Sequence, residues 1–519
     1  MKRTLKLFSA ALLAAFVFSL VGCGSASNSF TWFVDTIPAN LDPQVASAAS
    51  DVIACENLYS GLVRKDPGGQ LQPELCDRWE VSADRRTYTF YLKDSLCYTA
   101  AKGASTEYTI TADDFVFAFR RMFRAETNSP YAVEFSAIEN SAAVLSGAMP
   151  ETALGVSAHG EQTLVFQLSE PDENFLSKLT LPGAMPCDEA FFDSTRGTYG
   201  LSTASTLSSG SFYIYNWTSG GLFLRREPSG SRIDNLRLVQ NTNAAGQSAE
   251  QLISNEKCSA ALDDTGAQTA FQSIAYSDTT WTLLFRCDSV FSSTELRQAL
   301  ASVARNAAEV PDTGLFTAAS GLIPEGLTVD GIDYRAAAGD PMPTIPDAKE
   351  LYRTARQGMQ NSDFNKVTLL LPAGSGLTQA AEQINGAWQK EFSLFFSVEE
   401  AEPEEFAKRL AEGNYTIALA PISAESGSVY SILTQFTAAG GGLAHYENSL
   451  YATQLAASAS ATGSTRCSLL AECERQLLQD CAAVPLFAQQ KRLLVAIGIH
   501  DLIFDPFGPV LDLTYATKE

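Results

Sequence analysis

The sequence is poor in histidine and lacks the short motifs of hydrolytic and metal chemistry. Only three histidines occur, and His159, His445 and His500 lie far apart along the chain. No His-Glu-x-x-His, Gly-x-Ser-x-Gly or Cys-x-x-Cys segment is present. These absences argue against an exported hydrolase, the alternative of a different class, and against a zinc ribbon or dithiol redox centre. We therefore expect no catalysis, no cofactor and no direct metal site.

The chain also has too few positive charges to bind polyanions. Lysine and arginine number 36 against 59 acidic residues, a formal net charge of -23. Such a chain should not be held by nucleic acid, or by an anionic membrane face through its overall charge. With 45% hydrophobic and 18% charged residues over 519 positions, it is typical of a folded protein of two or three domains.

A long apolar run is missing everywhere except at the N-terminus. Residues 1–22 begin with Lys2, Arg3 and Lys6 and continue as LFSAALLAAFVFSLVG. This is a secretory pattern, since about 16 apolar residues are too few for a membrane span. The segment Leu-Val-Gly-Cys resembles a bacterial lipobox, which would make Cys23 the acylated mature N-terminus and 23–29 a tether. The alternative is an ordinary signal peptide with an incidental cysteine.

Nine cysteines follow Cys23, an odd number, so at least one is free or pairs outside the chain. Many have apolar neighbours, as in VIACENLY and FRCDSV, and these are expected to be small buried hydrophobes. Disulfides remain possible in an exported protein, but the sequence does not assign them.

Hydrophobic periodicity predicts several elements. TYTFYLK (87–93) alternates as a half-buried strand does, and TLVFQL (163–168) predicts another. ITADDFVFAFRRMF (110–123) predicts a helix that Thr111 caps together with Asp114, with an aromatic stripe that packs in a core.

The later part of the chain alternates strands and helices. The strands are predicted at 366–371, 393–398 and 415–420, and the helices at 377–392 and 403–413. This order predicts a parallel sheet with right-handed crossovers, which binds ligands at the carboxyl ends of its strands. The loop after YTIALA (415–420) is therefore a candidate binding segment.

Eight short segments of the chain form a recognisable set: Leu41-Asp42-Pro43, the Asn57-x-Tyr59-x-Gly61-Leu62 turn, Pro73-Glu74-Leu75-Cys76-Asp77-Arg78-Trp79, TADDFVFAFRRMF, TNSPYA, SSGSFYIYNW, STELRQALASVARN and VPLF. Together they resemble extracellular solute-binding protein family 5, the oligopeptide and dipeptide receptors of bacterial ABC importers. The resemblance is strongest at 41–180 and extends from about residue 30 to residue 519. Cys76 stands where the family usually has alanine.

The resemblance implies an α/β fold of the two-lobed periplasmic-binding-protein type, with an extra small domain and a hinge that the chain crosses twice. The expected bounds are 30–50, 169–280 and 489–519 for lobe I, 51–168 for the extra domain inserted in it, and 281–488 for lobe II. Such receptors enclose an extended peptide by backbone hydrogen bonds when the lobes close.

The resemblance also implies ligand-binding residues. The family places an aspartate for the peptide amine shortly after a Gly-Trp pair, and here Pro421 and Ile422 replace that pair and Glu425 falls at the acid. Glu425 either binds the amine or is a solvated loop acid. The missing tryptophan removes an aromatic pocket wall.

Further candidates are Tyr131, Asp263, Asp264 and Asp35. Tyr131 resembles a tyrosine near the ligand, and its alternative is loop packing. Asp263 and Asp264 follow a strand and suit an amine-bearing ligand, or they are surface acids. Asp35 lies at a position that can contact ligand.

The predicted partners are a peptide ligand, the permease subunits of an ABC importer and the outer face of the membrane through Cys23, with the protein a monomer. Two alternatives stay open: a non-peptide ligand such as a metal chelate, haem or sugar, and a surface lipoprotein whose site has drifted to sensing or adhesion.

Overall fold

The computed structural model describes residues 28–172, 174–241, 246–424, 427–461, 463–507 and 510–519. Their strands are β1 Ser29–Val34, β2 Val63–Lys65, β3 Leu71–Pro73, β4 Cys76–Val81, β5 Thr87–Leu92, β6 Cys97–Thr99, β7 Ser105–Thr109, β8 Val156–Ala158, β9 Thr163–Gln167, β10 Tyr213–Thr218, β11 Gly221–Arg225, β12 Asn235–Gln240, β13 Ala260–Asp263, β14 Gln272–Phe285, β15 Phe316–Ala318, β16 Thr328–Val329, β17 Ile332–Asp333, β18 Thr368–Pro372, β19 Ser397–Ala401, β20 Ile417–Ser423, β21 Ala483–Val495, β22 Ile499–His500, β23 Ile503–Asp505, β24 Val510–Asp512 and β25 Thr517–Lys518. Their helices are α1 Ala49–Leu58, α2 Ala112–Met122, α3 Ser141–Leu145, α4 Phe175–Lys178, α5 Glu189–Ser194, α6 Ala249–Ser254, α7 Thr294–Ala307, α8 Tyr334–Ala338, α9 Ala348–Ala355, α10 Thr378–Phe392, α11 Pro403–Ala411, α12 Val429–Thr434, α13 Ser449–Ser460 and α14 Gly463–Gln479.

The first lobe is built on the sheet β1-β12-β11-β10. β1 pairs with β12 in parallel and forms one edge of this sheet. Its core buries Phe30, Leu224 and Leu238 against Leu511 and Leu513 from the end of the chain. The N-terminal strand and the C-terminal segment therefore share one core.

The extra unit has its own sheet, β4-β5-β9-β8, and its own aromatic core. The predicted strands at 87–93 and 163–168 are confirmed as β5 and β9, and the predicted helix as α2 with its Thr111/Asp114 capping box. α1 packs in the first lobe's core through Ile53 and Leu58, although the predicted extra domain begins at residue 51. The domain bounds themselves stay a prediction.

The large sheet has the order β13-β21-β14-β20-β18-β19, with β15 beside β21. Leu369 of β18 and Leu419 of β20 are buried in the second lobe's core, whereas Ala260 of β13 is buried in the first lobe's core. β18 pairs in parallel with both β19 and β20, which confirms the parallel part predicted for 366–420. β14 runs antiparallel to β20 and β21, so the whole sheet is mixed.

One predicted strand is displaced along the chain. The prediction at 393–398 was wrong for its first four residues, because β19 begins at Ser397. The Asn385 side chain forms two hydrogen bonds with the backbone of Phe396. Its Nδ2 donates to the Phe396 carbonyl at 2.6 Å, and its Oδ1 accepts from the Phe396 amide at 2.9 Å. Leu394 and Phe396 are buried in the second lobe's core. Their apolar side chains therefore pack from the segment that precedes β19, and they do not belong to the strand itself.

Two long strands connect the lobes. β14 and β21 pair along most of their length, and the register of the pair shifts between Tyr276 and Thr279. On β21, Phe487 packs in the second lobe's core and Leu493 in the first lobe's core. The chain therefore passes from the first lobe to the second on β14 and returns on β21, as the resemblance implied.

The described cysteines are all free thiols: Cys55, Cys76, Cys97, Cys187, Cys258, Cys287, Cys467, Cys473 and Cys481. Seven are buried, among them Cys55 of VIACENLY, as expected for cysteines with apolar neighbours, whereas Cys287 of FRCDSV is only half-buried. None of the helices in the described ranges has the length and apolarity needed to cross a membrane.

Candidate functional site

A cavity of about 610 Å³ opens where the two connecting strands leave the first lobe. Its walls come from the end of β1, the start of α1, the ends of β13 and β23, and the crossing parts of β14 and β21. The lining residues are Trp32, Phe33, Val34, Asp35, Thr36, Ala49, Ser50, Ile53, Leu262, Asp263, Asp264, Tyr276, Asp278, Lys491, Phe504, Asp505, Pro506 and Leu511. Residues that are hundreds of positions apart in the sequence thus meet at one place.

The backbone of β1 faces this cavity along the edge that β12 does not occupy. Thr31 shows the direction, since its amide donates to Ser259 Oγ at 3.0 Å and its carbonyl accepts from the Ser259 amide at 2.8 Å. Backbone groups alternate between the two edges of a strand, so those of Phe33 point to the same side as those of Thr31. Phe33 is also a lining residue. The edge of β1 at Phe33 can therefore accept the backbone of an extended ligand.

Aspartates dominate the charge of the cavity. Three of the predicted residues, Asp35, Asp263 and Asp264, lie in its lining, together with Asp278 and Asp505. One lysine, Lys491, is the only basic lining residue among the described ones. An excess of carboxylates favours a ligand that carries an ammonium or guanidinium group.

Two of these carboxylates are already neutralised by basic partners. Asp263 lies 2.5 Å from Arg492 Nη2, and Asp278 lies 2.7 Å from Lys491 Nζ. Burial disfavours ionisation of Asp263, but hydrogen bonds from Thr265 and Arg492 outweigh it and lower the pKa of Asp263 below its ordinary value. Asp263 is therefore an anchored structural carboxylate. Asp35, Asp264 and Asp505 form no ion pair within the described part of the chain, so they are the carboxylates left for a ligand. Asp505 Oδ1 also accepts from the Phe507 amide at 3.0 Å.

The predicted amine acid Glu425 lies outside the described residues. The nearest described residues are Ala424 and Gly427: the Ala424 amide donates to the carbonyl of Asp278, a lining residue, at 2.7 Å, and the Gly427 amide donates to the Ala424 carbonyl at 2.8 Å. Gly427 has φ +64°, and a Cβ there would lie 2.4 Å from the Phe507 carbonyl oxygen. Only glycine fits this approach.

A second cavity, of about 780 Å³, continues the first one between the lobes. Both are lined by Tyr276, Phe504, Asp505 and Pro506. The far wall is the segment 317–321 with 323–326 and Ala488 and Gln490 of β21. Sequence reasoning missed this wall and the segment 502–507, because neither carries a motif and only the fold brings them to the cleft.

Tyr131 lies apart from these two cavities. Its hydroxyl donates to the Ala46 carbonyl at 2.7 Å, and burial raises the pKa of this phenol. A Cβ on Gly183 would come within 2.6 Å of the Tyr131 ring. These contacts support the packing alternative for Tyr131 and give no support to a ligand contact.

The described residues also contain no group of three or more histidine, cysteine, aspartate or glutamate side chains arranged to hold a metal ion.

Comparison with known proteins identifies relatives of the whole architecture. Residues 70–443 match the family described as "Bacterial extracellular solute-binding proteins, family 5 Middle". The dipeptide-binding protein of Lactococcus lactis subsp. cremoris is 26% identical over 399 residues, which cover 70% of each chain.

Solved structures show the same fold. The unliganded open form of MppA, a periplasmic murein tripeptide-binding protein, superposes with a TM-score of 0.65 at 18% identity, covering 95% of this chain and 98% of that one. OppA of Listeria monocytogenes, solved with bound peptide, gives a TM-score of 0.60 at 18% identity, covering 95% and 99%. The two-lobed α/β fold predicted from the sequence is therefore confirmed.

Proposed function

The chain belongs to the bacterial extracellular solute-binding proteins of family 5, and we propose that it captures peptides between its two lobes and delivers them to the permease of an ABC importer. Relatives named for dipeptide and oligopeptide binding support the choice of peptides. The protein performs no chemistry on its ligand, and its partners are the peptide and the permease subunits. It acts as a monomer.

The observation that carries this proposal is the combination of a strand edge with an acid-lined cavity. The edge of β1 at Phe33 offers a donor and an acceptor to an extended peptide, as in strand addition. Asp35 and Asp264 receive the ligand's α-amine, since an ammonium ion enclosed without a carboxylate would cost several kcal/mol. Glu425, which lies outside the described residues, stays the sequence-based candidate for a further amine-binding acid.

We assign the protein to the outer face of the cytoplasmic membrane, held there by acylated Cys23. The lipobox-like residues 20–23 support this assignment. The short linker between Cys23 and Asn28 would keep the receptor near its permease.

Native mass spectrometry of the gently purified mature protein tests the ligand class. We expect co-purified short peptides, which denaturation releases for sequencing. An empty protein that also shows no thermal shift with peptide libraries would overturn peptide capture. A retained chelate, haem or sugar would assign a different ligand class, and emptiness towards every ligand class would favour a sensing or adhesion role.

Titration with matched peptides tests the amine site. Asp35→Asn with Asp264→Asn should weaken binding of a free-amine peptide about tenfold, ~1.4 kcal/mol, and leave its N-acetylated counterpart unchanged. Asp312→Asn, at an exposed acid outside both cavities, is the matched control. Equal loss for both peptides would contradict the amine assignment.

A further inference from the structure

A third cavity, of about 300 Å³, lies where the first lobe meets residues 99–103 of the extra unit, shares no lining residue with the peptide site and is rich in cationic and hydroxyl donors. Its lining residues are Thr99, Gly103, Ser211, Tyr213, Arg226, Glu227, Ser229 and Arg232. Two guanidinium groups and several hydroxyls converge there in a chain whose net charge is -23. Nothing in peptide capture uses them.

Arg226 is a buried cation without a carboxylate partner. Only 6% of the residue is exposed, and within the described residues no acid lies at ion-pair distance from it. Its Nη1 donates to the Thr514 carbonyl at 2.8 Å, its Nη2 to the Ala516 carbonyl at 3.4 Å, and its Nε has no partner in the described part. The guanidinium also stacks over Phe212, 4.8 Å from the ring centroid. Neutral groups thus fix its position, and the carboxylates of Asp512 and Asp234 act on its charge only from beyond ion-pair distance.

A second cation stands beside Arg226. Burial and then the neighbouring charge of Arg232 lower the pKa of Arg226 to about 10, against the opposing charges of Asp512 and Asp234, so Arg226 stays protonated at neutral pH. The one acid of the lining, Glu227, forms no ion pair with either arginine in the described ranges, and the cavity keeps an excess of positive charge. Paired guanidinium groups with nearby hydroxyls match the oxygens of a phosphate group.

The position of the cavity identifies the source of that phosphate. Asn28 Nδ2 donates to the Gly230 carbonyl at 3.3 Å and to the Arg232 carbonyl at 3.1 Å, so the chain enters the fold at the cavity's rim. Cys23 precedes Asn28 by five residues, and an extended chain spans at most about 3.6 Å per residue, or about 18 Å. An acylated Cys23 therefore keeps this face within reach of lipid headgroups.

We propose that the cavity at Arg226 and Arg232 binds the phosphate of an anionic membrane lipid and holds the first lobe against the bilayer. This inference rests on the proposed lipid anchor at Cys23. The net negative charge of the protein is repelled by an anionic membrane surface. A local cationic site near the anchored end therefore also orients the protein, with this site towards the membrane and the acidic surfaces away from it.

Hydrogen exchange of the mature lipoprotein in nanodiscs tests the proposal. Replacing part of the phosphatidylcholine by phosphatidylglycerol should slow amide exchange at 226–233 severalfold. Arg232→Ala, at an exposed side chain, should abolish this slowing, and Arg237→Ala, at an exposed arginine of the same lobe outside the cavity, should keep it. Arg226→Gln is a second variant that should also abolish the slowing, and its exchange data are interpreted only if its melting temperature equals that of the wild type.

Three outcomes would overturn the inference: equal exchange in both nanodiscs, an unchanged response in Arg232→Ala, or the same slowing by inorganic phosphate in phosphatidylcholine nanodiscs. The last outcome would make this a site for free phosphate. Mass measurement of Cys23 acylation and peptide titration on the same samples test the anchor and the transport proposal separately.

Discussion

Tyr131 shows how a single hydroxyl separates a structural role from a ligand-binding one. Tyr131→Phe removes the hydrogen bond to the Ala46 carbonyl and should lower the free energy of unfolding by about 1 kcal/mol. Peptide affinity should not change, because the ring lines neither part of the cleft. Denaturant unfolding and peptide titration of the variant measure the two effects. A large loss of affinity at unchanged stability would restore the predicted ligand contact.

Glu56 gives a residue-scale prediction on pH. Burial, followed by the charge of Asp512, raises the pKa of this carboxyl to about 8, against the opposing effect of Arg64. The folded state therefore keeps a proton that the unfolded state loses, and stability from this group is present at low pH and falls between about pH 5 and 8.

Glu56→Gln removes this dependence. Relative to the variant, the wild-type free energy of unfolding should fall by a few kcal/mol as pH rises through that window, ~1.4 kcal/mol for each unit of pKa difference. Denaturant titrations of both proteins at several pH values give the difference, in which other titrating groups cancel. Parallel curves would show that Glu56 ionises normally.

At the scale of the element, α2 tests a sequence motif directly. The Thr111 amide donates to Asp114 Oδ2 at 2.8 Å, the reciprocal half of the capping box. Thr111→Ala should lower the free energy of unfolding by about 1 kcal/mol. Thr453→Ala, on the exposed face of α13, is the matched control and should be nearly neutral. Equal effects of the two substitutions would contradict the capping role.

The elements also show where periodicity succeeds and where it fails. β5, β9 and α2 were predictable because one face of each is buried in a local core. The later start of β19 was not predictable from periodicity. Leu394 and Phe396 are apolar because they pack in a core, and the Asn385 side chain forms the hydrogen bonds of the Phe396 backbone that a neighbouring strand would otherwise form. Hydrogen bonds from a side chain to the backbone do not change the hydrophobic periodicity, so the pattern cannot show where such bonds replace strand pairing.

For the whole molecule, a buried ion pair joins the extra unit to the first lobe. Arg121 on α2 donates to both carboxylate oxygens of Asp42, at 2.6 and 2.7 Å, and also to Gln44. Asp42→Asn leaves a buried guanidinium without its counter-charge and should cost about 3–5 kcal/mol. Thermal unfolding of this variant measures the loss.

Arg353→Met is the matched control, because it breaks an exposed pair with Glu350 and should cost about 0.5 kcal/mol or less. A small loss in Asp42→Asn would mean that the two cores are joined by packing alone.

Local periodicity, capping and short motifs were enough to predict the family, the two-lobed α/β class, most of the tested elements and the acidic character of the site, because each of these is recorded in neighbouring residues of the chain. The sequence also supplied Asp35, Asp263 and Asp264 as candidates. The folded structure was needed to show that Arg492 neutralises Asp263, that the Tyr131 hydroxyl donates to the Ala46 carbonyl, and that 317–321 and 323–326 form a cleft wall. These depend on contacts across 85 to 229 positions of chain, and no local pattern encodes which distant side chain will arrive.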